Sequence, residues 1–90
     1  MGTVSVKMKI LPASLEVDLQ ELKQKAKEIV EQKGGTNCHF EEEPIAFGLK
    51  ALITIFDWVE GNEIEIVEEA LGKIENVNSV QMTDMRRAIG

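Results

Sequence analysis

The chain has 90 residues, 43% of them hydrophobic, with 10 basic and 16 acidic side chains and a net charge of -6. That length suits one domain, residues 1–90, and the negative field repels phosphate backbones, which argues against broad nucleic-acid binding. No apolar run approaches the roughly 20 residues needed to cross a bilayer, and Met1 leads straight into an alternating pattern instead of a signal segment, so a cytoplasmic protein with no membrane partner is expected.

Val4, Val6, Met8 and Ile10 alternate with Ser5, Lys7 and Lys9, the period of a strand with one wet face, and Pro12 stops it. Asp18 followed by Glu21 resembles a capping box. Leu19, Leu22, Ala26, Ile29 and Val30 then recur at helical spacing, and Gly34-Gly35 ends the helix. Cys38 and Phe40 alternate with His39 and Glu41, a short strand with one apolar face. Pro44 to Gly48 reads as a loop, because proline removes a donor and glycine frees the backbone. Leu49 to Trp58 is apolar on both faces, which predicts a central strand without saying which face meets the helices.

Asn62 with Glu65 is a second candidate cap, opening a helix whose stripe is Ile64, Val67, Leu71 and Ile74. Asn76 and Asn78 mark a turn around Val77, and Val80 and Met82 then alternate with Gln81 and Thr83. Met85 falls out of phase, which predicts a bulge or the strand's end near Asp84. The order β-α-β-β-α-β, with right-handed crossovers, puts the first and third strands at the centre of a four-stranded antiparallel sheet. Both helices lie on one face of this α+β, ferredoxin-like sandwich. Such a fold hosts many functions and decides none of them.

Catalytic chemistry finds little support. Cys38 is the only cysteine and His39 the only histidine. As neighbours on a strand they point to opposite faces, so they make a poor metal pair. Neither a phosphate-binding glycine loop nor a nucleophile elbow is present. Asp57 to Asn62 has its glycine one place early for a calcium loop. No enzymatic activity, metal or cofactor of its own is expected.

Glu41-Glu42-Glu43 fits a solvated strand edge. The apolar residues after it, Ile45 and Phe47, fit two roles equally: closing one end of the core, or binding a protein. Ala46-Phe47-Gly48-Leu49 also mimics part of the base-stacking motif of RNA-recognition domains. Leu49 and Leu52 stand where that motif needs aromatic rings, no cation precedes Phe47, and the net charge is wrong. A basic protein surface is the better electrostatic partner.

Glu42-Glu43-Pro44-Ile45-Ala46-Phe47-Gly48-Leu49-Lys50-Ala51-Leu52 resembles the signature of the elongation factor 1-beta family. Val80-Gln81-Met82-Thr83-Asp84-Met85-Arg86-Arg87 resembles that family's ending, and the likeness runs along the whole chain in its short archaeal form. The resemblance implies a ferredoxin-like exchange factor that binds the GTPase elongation factor 1-alpha transiently and speeds GDP release. In the eukaryotic relative, the loop matching Pro44 to Gly48 sits against the GTPase, with the phenylalanine matching Phe47 packed on its nucleotide domain. A near-terminal lysine there reaches towards the magnesium site. Alignment from Met85 matches that lysine to Arg87, with Ala88-Ile89-Gly90 beyond it and Arg86 an equal candidate. Arginine is wider and prefers bidentate partners, so the role does not transfer unchanged. The implied partner-binding residues are Glu43, Pro44, Ile45, Ala46, Phe47, Gly48, Arg86 and Arg87. The competing class is a small-ligand regulatory module, which would form a stable dimer.

Overall fold

Period-two alternation makes Thr3–Pro12 a strand, β1, and sends Val4, Val6, Met8 and Ile10 to one face, where all are buried. The computed structural model describes residues 2–87. After β1 come α1 (Leu19–Gln32), β2 (Thr36–Pro44), a 3-10 turn (Ala46–Gly48), β3 (Lys50–Val59), α2 (Glu65–Gly72) and β4 (Val77–Arg87). One antiparallel sheet of four strands results, in the order β2-β3-β1-β4. The first and third strands are central and the α+β ferredoxin-like arrangement is as expected.

Strand β3 is buried on both faces because each meets a different cluster. Leu52, Phe56 and Trp58 join Leu22, Ala26 and Val30 of α1 and Val67 and Leu71 of α2 in the main core. Phe56 and Trp58 meet edge to face, with ring centres 6.1 Å apart at 81°. Ala51, Ile53 and Ile55 point the other way and form a smaller cluster with Leu11 and Ile45. The even-numbered side is therefore the helix side.

Helix α1 starts at Asp18, whose carboxylate accepts from the Gln20 N–H at 2.9 Å, so the cap engages the second helical residue and not a reciprocal box with Glu21. Its far end closes when Gly35 N–H donates to Val30 O at 2.8 Å and Gly34 N–H to Glu31 O at 3.2 Å, with Gly34 at φ 108°. A Cβ at Gly35 would collide with Val30 and come within 3.1 Å of the Phe56 ring, so glycine is required by close approach. The second cap differs from expectation: α2 begins after Ile64 with no side-chain cap. Asn62 is occupied two residues earlier, closing a turn onto β3. Its carbonyl accepts from Trp58 Nε1 at 3.1 Å, and its N–H donates to Val59 O at 3.2 Å.

Three register shifts adjust the edge strands, one of them near Pro12, where Leu11 pairs with Ser79 and Pro12 with Val77, so that Asn78 is left over. Met8 pairs with Met82 but Lys7 with Asp84, which leaves Thr83 unpaired and accounts for Met85 falling out of phase. Thr36 pairs with Asp57 and His39 with Ile55, so Asn37 and Cys38 together oppose Phe56. Asn37 takes φ 52°, and its side-chain amide donates to the Asp57 carboxylate at 2.7 Å. Cys38 packs half-buried against the main core, while His39 is exposed on the opposite face. Burial, reinforced by nearby Glu31, pushes the Cys38 thiol up to about 11, so it stays protonated and inert near neutrality.

Strand β2 runs further than its sequence suggests, through the acidic run to Pro44, which pairs with Lys50. A proline is tolerated there because β2 is an edge strand and Pro44 is its last residue. Thr54 is fully buried under the helices, and its Oγ1 has no partner among the described residues. An unpaired buried hydroxyl costs about 1–3 kcal/mol, so Thr54→Val is expected to raise unfolding stability by about 1 kcal/mol. Urea denaturation checks this, and a loss of stability would contradict the assignment.

Candidate functional site

The β2–β3 connection has to reverse the chain between the Pro44–Lys50 pair. Ile45 N–H donates to Leu49 O at 2.8 Å and Leu49 N–H to Ala46 O at 3.3 Å, which closes a tight turn over Ala46–Gly48. The backbone meets that demand by entering the left-handed region twice in a row, at Phe47 (φ 63°, ψ 30°) and Gly48 (φ 79°). Glycine takes this conformation at no steric cost, whereas a side-chain-bearing residue there is strained by about 1–2 kcal/mol. Phe47 adds a second unfavourable feature: its ring is 92% exposed.

Ile45 behaves oppositely. It is half-buried against Leu11, Ala51, Ile53 and Ile55 and closes the smaller cluster. The two roles that fitted this segment equally are thus divided between two residues, core closure at Ile45 and a solvent-facing knob at Phe47.

Beside this knob stands a residue that sequence reasoning missed. Leu15, in the connection between β1 and α1, is 66% exposed, and the Cβ position of Gly48 lies 3.6 Å from its Cδ2. A groove of about 120 Å³ runs between the two connections, lined by Pro12, Leu15, Val17, Gly48, Leu49 and Lys50. A signal was available: Leu15 is a large apolar residue between the stop at Pro12 and the cap at Asp18, outside both predicted elements.

The acidic run is tied into the sheet. Glu42 lies 3.0 Å from Lys23 on α1 and 3.7 Å from Lys50, and Glu43 lies 3.8 Å from Lys9. The hydrogen bond and charge of Lys23, helped by Lys50, hold the Glu42 carboxyl below the usual carboxylate range. Such exposed pairs orient β2 more than they stabilise it.

Arg86 and Arg87 lie at the other end of the sheet. They pair in register with Ser5 and Val4, whereas the Phe47 turn lies beyond the end of β1 marked by Pro12. From Val4 to Pro12 a strand covers about 26 Å, at roughly 3.3 Å per residue. As strand neighbours the two arginines face opposite sides of β4. Arg86 Nε is 2.8 Å from Asp84 Oδ2, and Arg87 Nη2 is 2.7 Å from Glu60 Oε1. Glu60 is itself held by its N–H donating to Gly2 O at 2.9 Å. The sequence-predicted residues therefore form two groups and not one constellation, Glu43 to Gly48 at one end and the arginines at the other. Ala88-Ile89-Gly90 lies outside the described residues. Among the described residues, no group of three or more His, Cys, Asp or Glu side chains could hold a metal ion.

Residues 5–88 match the family model described as the EF-1 guanine nucleotide exchange domain. The chain is 46% identical over 88 residues to an elongation factor 1-beta of Methanosarcina acetivorans, covering 97% of this chain and 99% of the relative. It is 42% identical over 90 residues to the elongation factor 1-beta of Methanothermobacter thermautotrophicus, covering 97% and 98%. The counterpart in Methanocaldococcus jannaschii is 38% identical over 89 residues, covering 98% and 100%.

The division between knob and core has a direct consequence for stability. Phe47→Ala is expected to change unfolding free energy by less than about 0.5 kcal/mol, as for other surface positions. Ile45→Ala should cost about 1–2 kcal/mol, part of the full price of emptying a core site. Chemical denaturation of the two variants measures both, and the reverse order would contradict the division.

Proposed function

The chain belongs to the family of EF-1 guanine nucleotide exchange domains, and we propose that it binds the GTPase elongation factor 1-alpha transiently and expels GDP from it. GTP then reloads the site. One domain suffices for this work, in the cytoplasm with the translation machinery, and the chain contributes no cofactor and no bond-making chemistry. Direct contact with nucleic acid or membrane forms no part of it.

The observation that carries this reading is Phe47, both strained and exposed. An aromatic ring in such a position is retained at a cost to the free domain, and strain of this kind clusters at sites that act on partners. In the complex, Phe47 anchors on the GTPase while Glu43, Pro44, Ala46 and Gly48 shape the loop and Ile45 braces it from the core side.

The chemistry at the far end follows from how a GTPase holds its nucleotide, through a phosphate cradle and a bridging Mg²⁺. Mg²⁺ requires near-ideal octahedral geometry, so a small shift of its ligands weakens it sharply. Arg86 or Arg87 near that site would displace the metal by charge and position. Arg87 is the better-positioned cation, because Glu60 reaches it from a separate turn, whereas the ion-pair partner of Arg86 among the described residues is Asp84 on its own strand. Either arginine exchanges an exposed carboxylate for a partner group at little cost. Linkage then requires that a factor which weakens GDP binding be weakened equally by GDP, so the complex is transient.

Release of fluorescent GDP from elongation factor 1-alpha tests the reading. The wild-type chain should accelerate release. Phe47→Ala should raise the half-saturating concentration about 30-fold, corresponding to about 2 kcal/mol for a central aromatic anchor. Replacing Arg86 and Arg87 together with alanine should slow release at saturation. No acceleration by the wild-type chain would overturn the proposal.

A further inference from the structure

Leu15 is not accounted for by a single aromatic anchor. The other large apolar side chains that reach solvent, Val59, Ile66, Met82 and Met85, are 37–44% exposed, while Leu15 is at 66% and Phe47 at 92%. Both border Gly48: Phe47 precedes it in the chain, and Leu15 Cδ2 comes within 3.6 Å of its Cβ position from the β1–α1 connection. Leu15 belongs to neither hydrophobic cluster. Nor does it dangle: Ser14 Oγ accepts from the Glu16 N–H at 3.3 Å, and Ser14 O accepts from the Val17 N–H at 3.4 Å. Ala13 N–H in turn donates to Asn76 O at 2.8 Å. Leu15 is therefore held at the apex of a hydrogen-bonded turn, as Phe47 is held by the Ile45–Leu49 closure. Two preset turns from separate connections cost little ordering entropy when they dock.

We propose that Leu15 and Phe47 act as one two-pronged apolar plug, and that the plug docks into an apolar cleft with a basic rim on the GTPase. The groove of about 120 Å³ between Leu15 and the Gly48–Lys50 backbone has room to admit a side chain of the cleft wall. Charge identifies the rim. Glu42 and Glu43 are committed to Lys23, Lys50 and Lys9, while Glu16, next to Leu15, and Glu41 make no ion pair among the described residues. On a chain of net charge -6, Glu16 beside Leu15 is thus an unneutralised carboxylate at the apolar tip, which steers it to lysine or arginine side chains. This inference deepens the exchange reading and rests on it.

The test is a titration of GTPase loaded with fluorescent GDP, using the full chain and its Leu15→Ser, Leu15→Met, Phe47→Ala and Ile66→Ser variants. Leu15→Ser is expected to raise the half-saturating concentration about tenfold, the scale of one buried aliphatic side chain, without changing release at saturation. Leu15→Met should restore most of the affinity, and Ile66→Ser, an exposed aliphatic on α2, should match wild type. Hydroxyl-radical footprinting of the wild-type complex gives a readout independent of variant folding, with Leu15 protected on binding. Unchanged half-saturation for Leu15→Ser, or full reactivity of Leu15 in the complex, overturns the plug. A defect confined to Phe47→Ala does so while leaving the exchange reading intact. No acceleration by the wild-type chain overturns both.

Discussion

The short closure between β2 and β3 governs what this domain presents to a partner. Once Pro44 and Lys50 are paired, only Ile45 to Leu49 remain to turn the chain. The Ile45 N–H donates to Leu49 O at 2.8 Å and closes that turn. Ile45 is then committed to the cluster on the open face, and the backbone has to pass through left-handed geometry at Phe47 and Gly48. With Ile45 anchored inward, the ring of Phe47 has nowhere to go but outward. The exposed knob is thus a consequence of strand register and turn length, and the core beneath keeps it in place.

That register depends in turn on β3. Its helix side carries Leu52, Phe56 and Trp58 into the main core, and its other side carries Ala51, Ile53 and Ile55 into the second cluster. A slip of one residue would exchange the two sets and expose large apolar surface, so the pairing is strongly specified. The same strand connects the two candidate regions, since its beginning follows the Phe47 turn and its end leads to Glu60, the partner of Arg87. A stiff central strand can therefore hold an apolar anchor and a cation at a set separation. The proposed two-point grip on a nucleotide-bound GTPase would use such a ruler.

Much of this fold was legible in the sequence. The alternation in β1, the stripe of α1, the two-sided β3 and the phase break at Met85 each follow from periodicity, and periodicity reports burial directly. What stayed hidden depends on geometry. Asn62 looked like a cap, but its backbone is used to close a turn onto Trp58 and Val59. The split between Ile45 and Phe47 could not be read, because both are apolar and two apart, and only the turn's dihedral angles separate them. Leu15 was overlooked because nothing in local spacing links it to Gly48, which is distant in sequence and adjacent in space. The arginines were legible only through family resemblance, and their distance from Phe47 only through strand pairing.

The central claim is that this chain meets elongation factor 1-alpha with the tip formed by the Phe47 turn and its neighbour. Amide hydrogen exchange of the chain, free and in complex with the nucleotide-free GTPase, tests this most directly. The account predicts new protection over Ser14 to Val17 and Ala46 to Leu49, with a separate change near Arg86 and Arg87. Protection confined to the open face of the sheet or to the outer surface of the helices, with the tip exchanging as in the free chain, would contradict it.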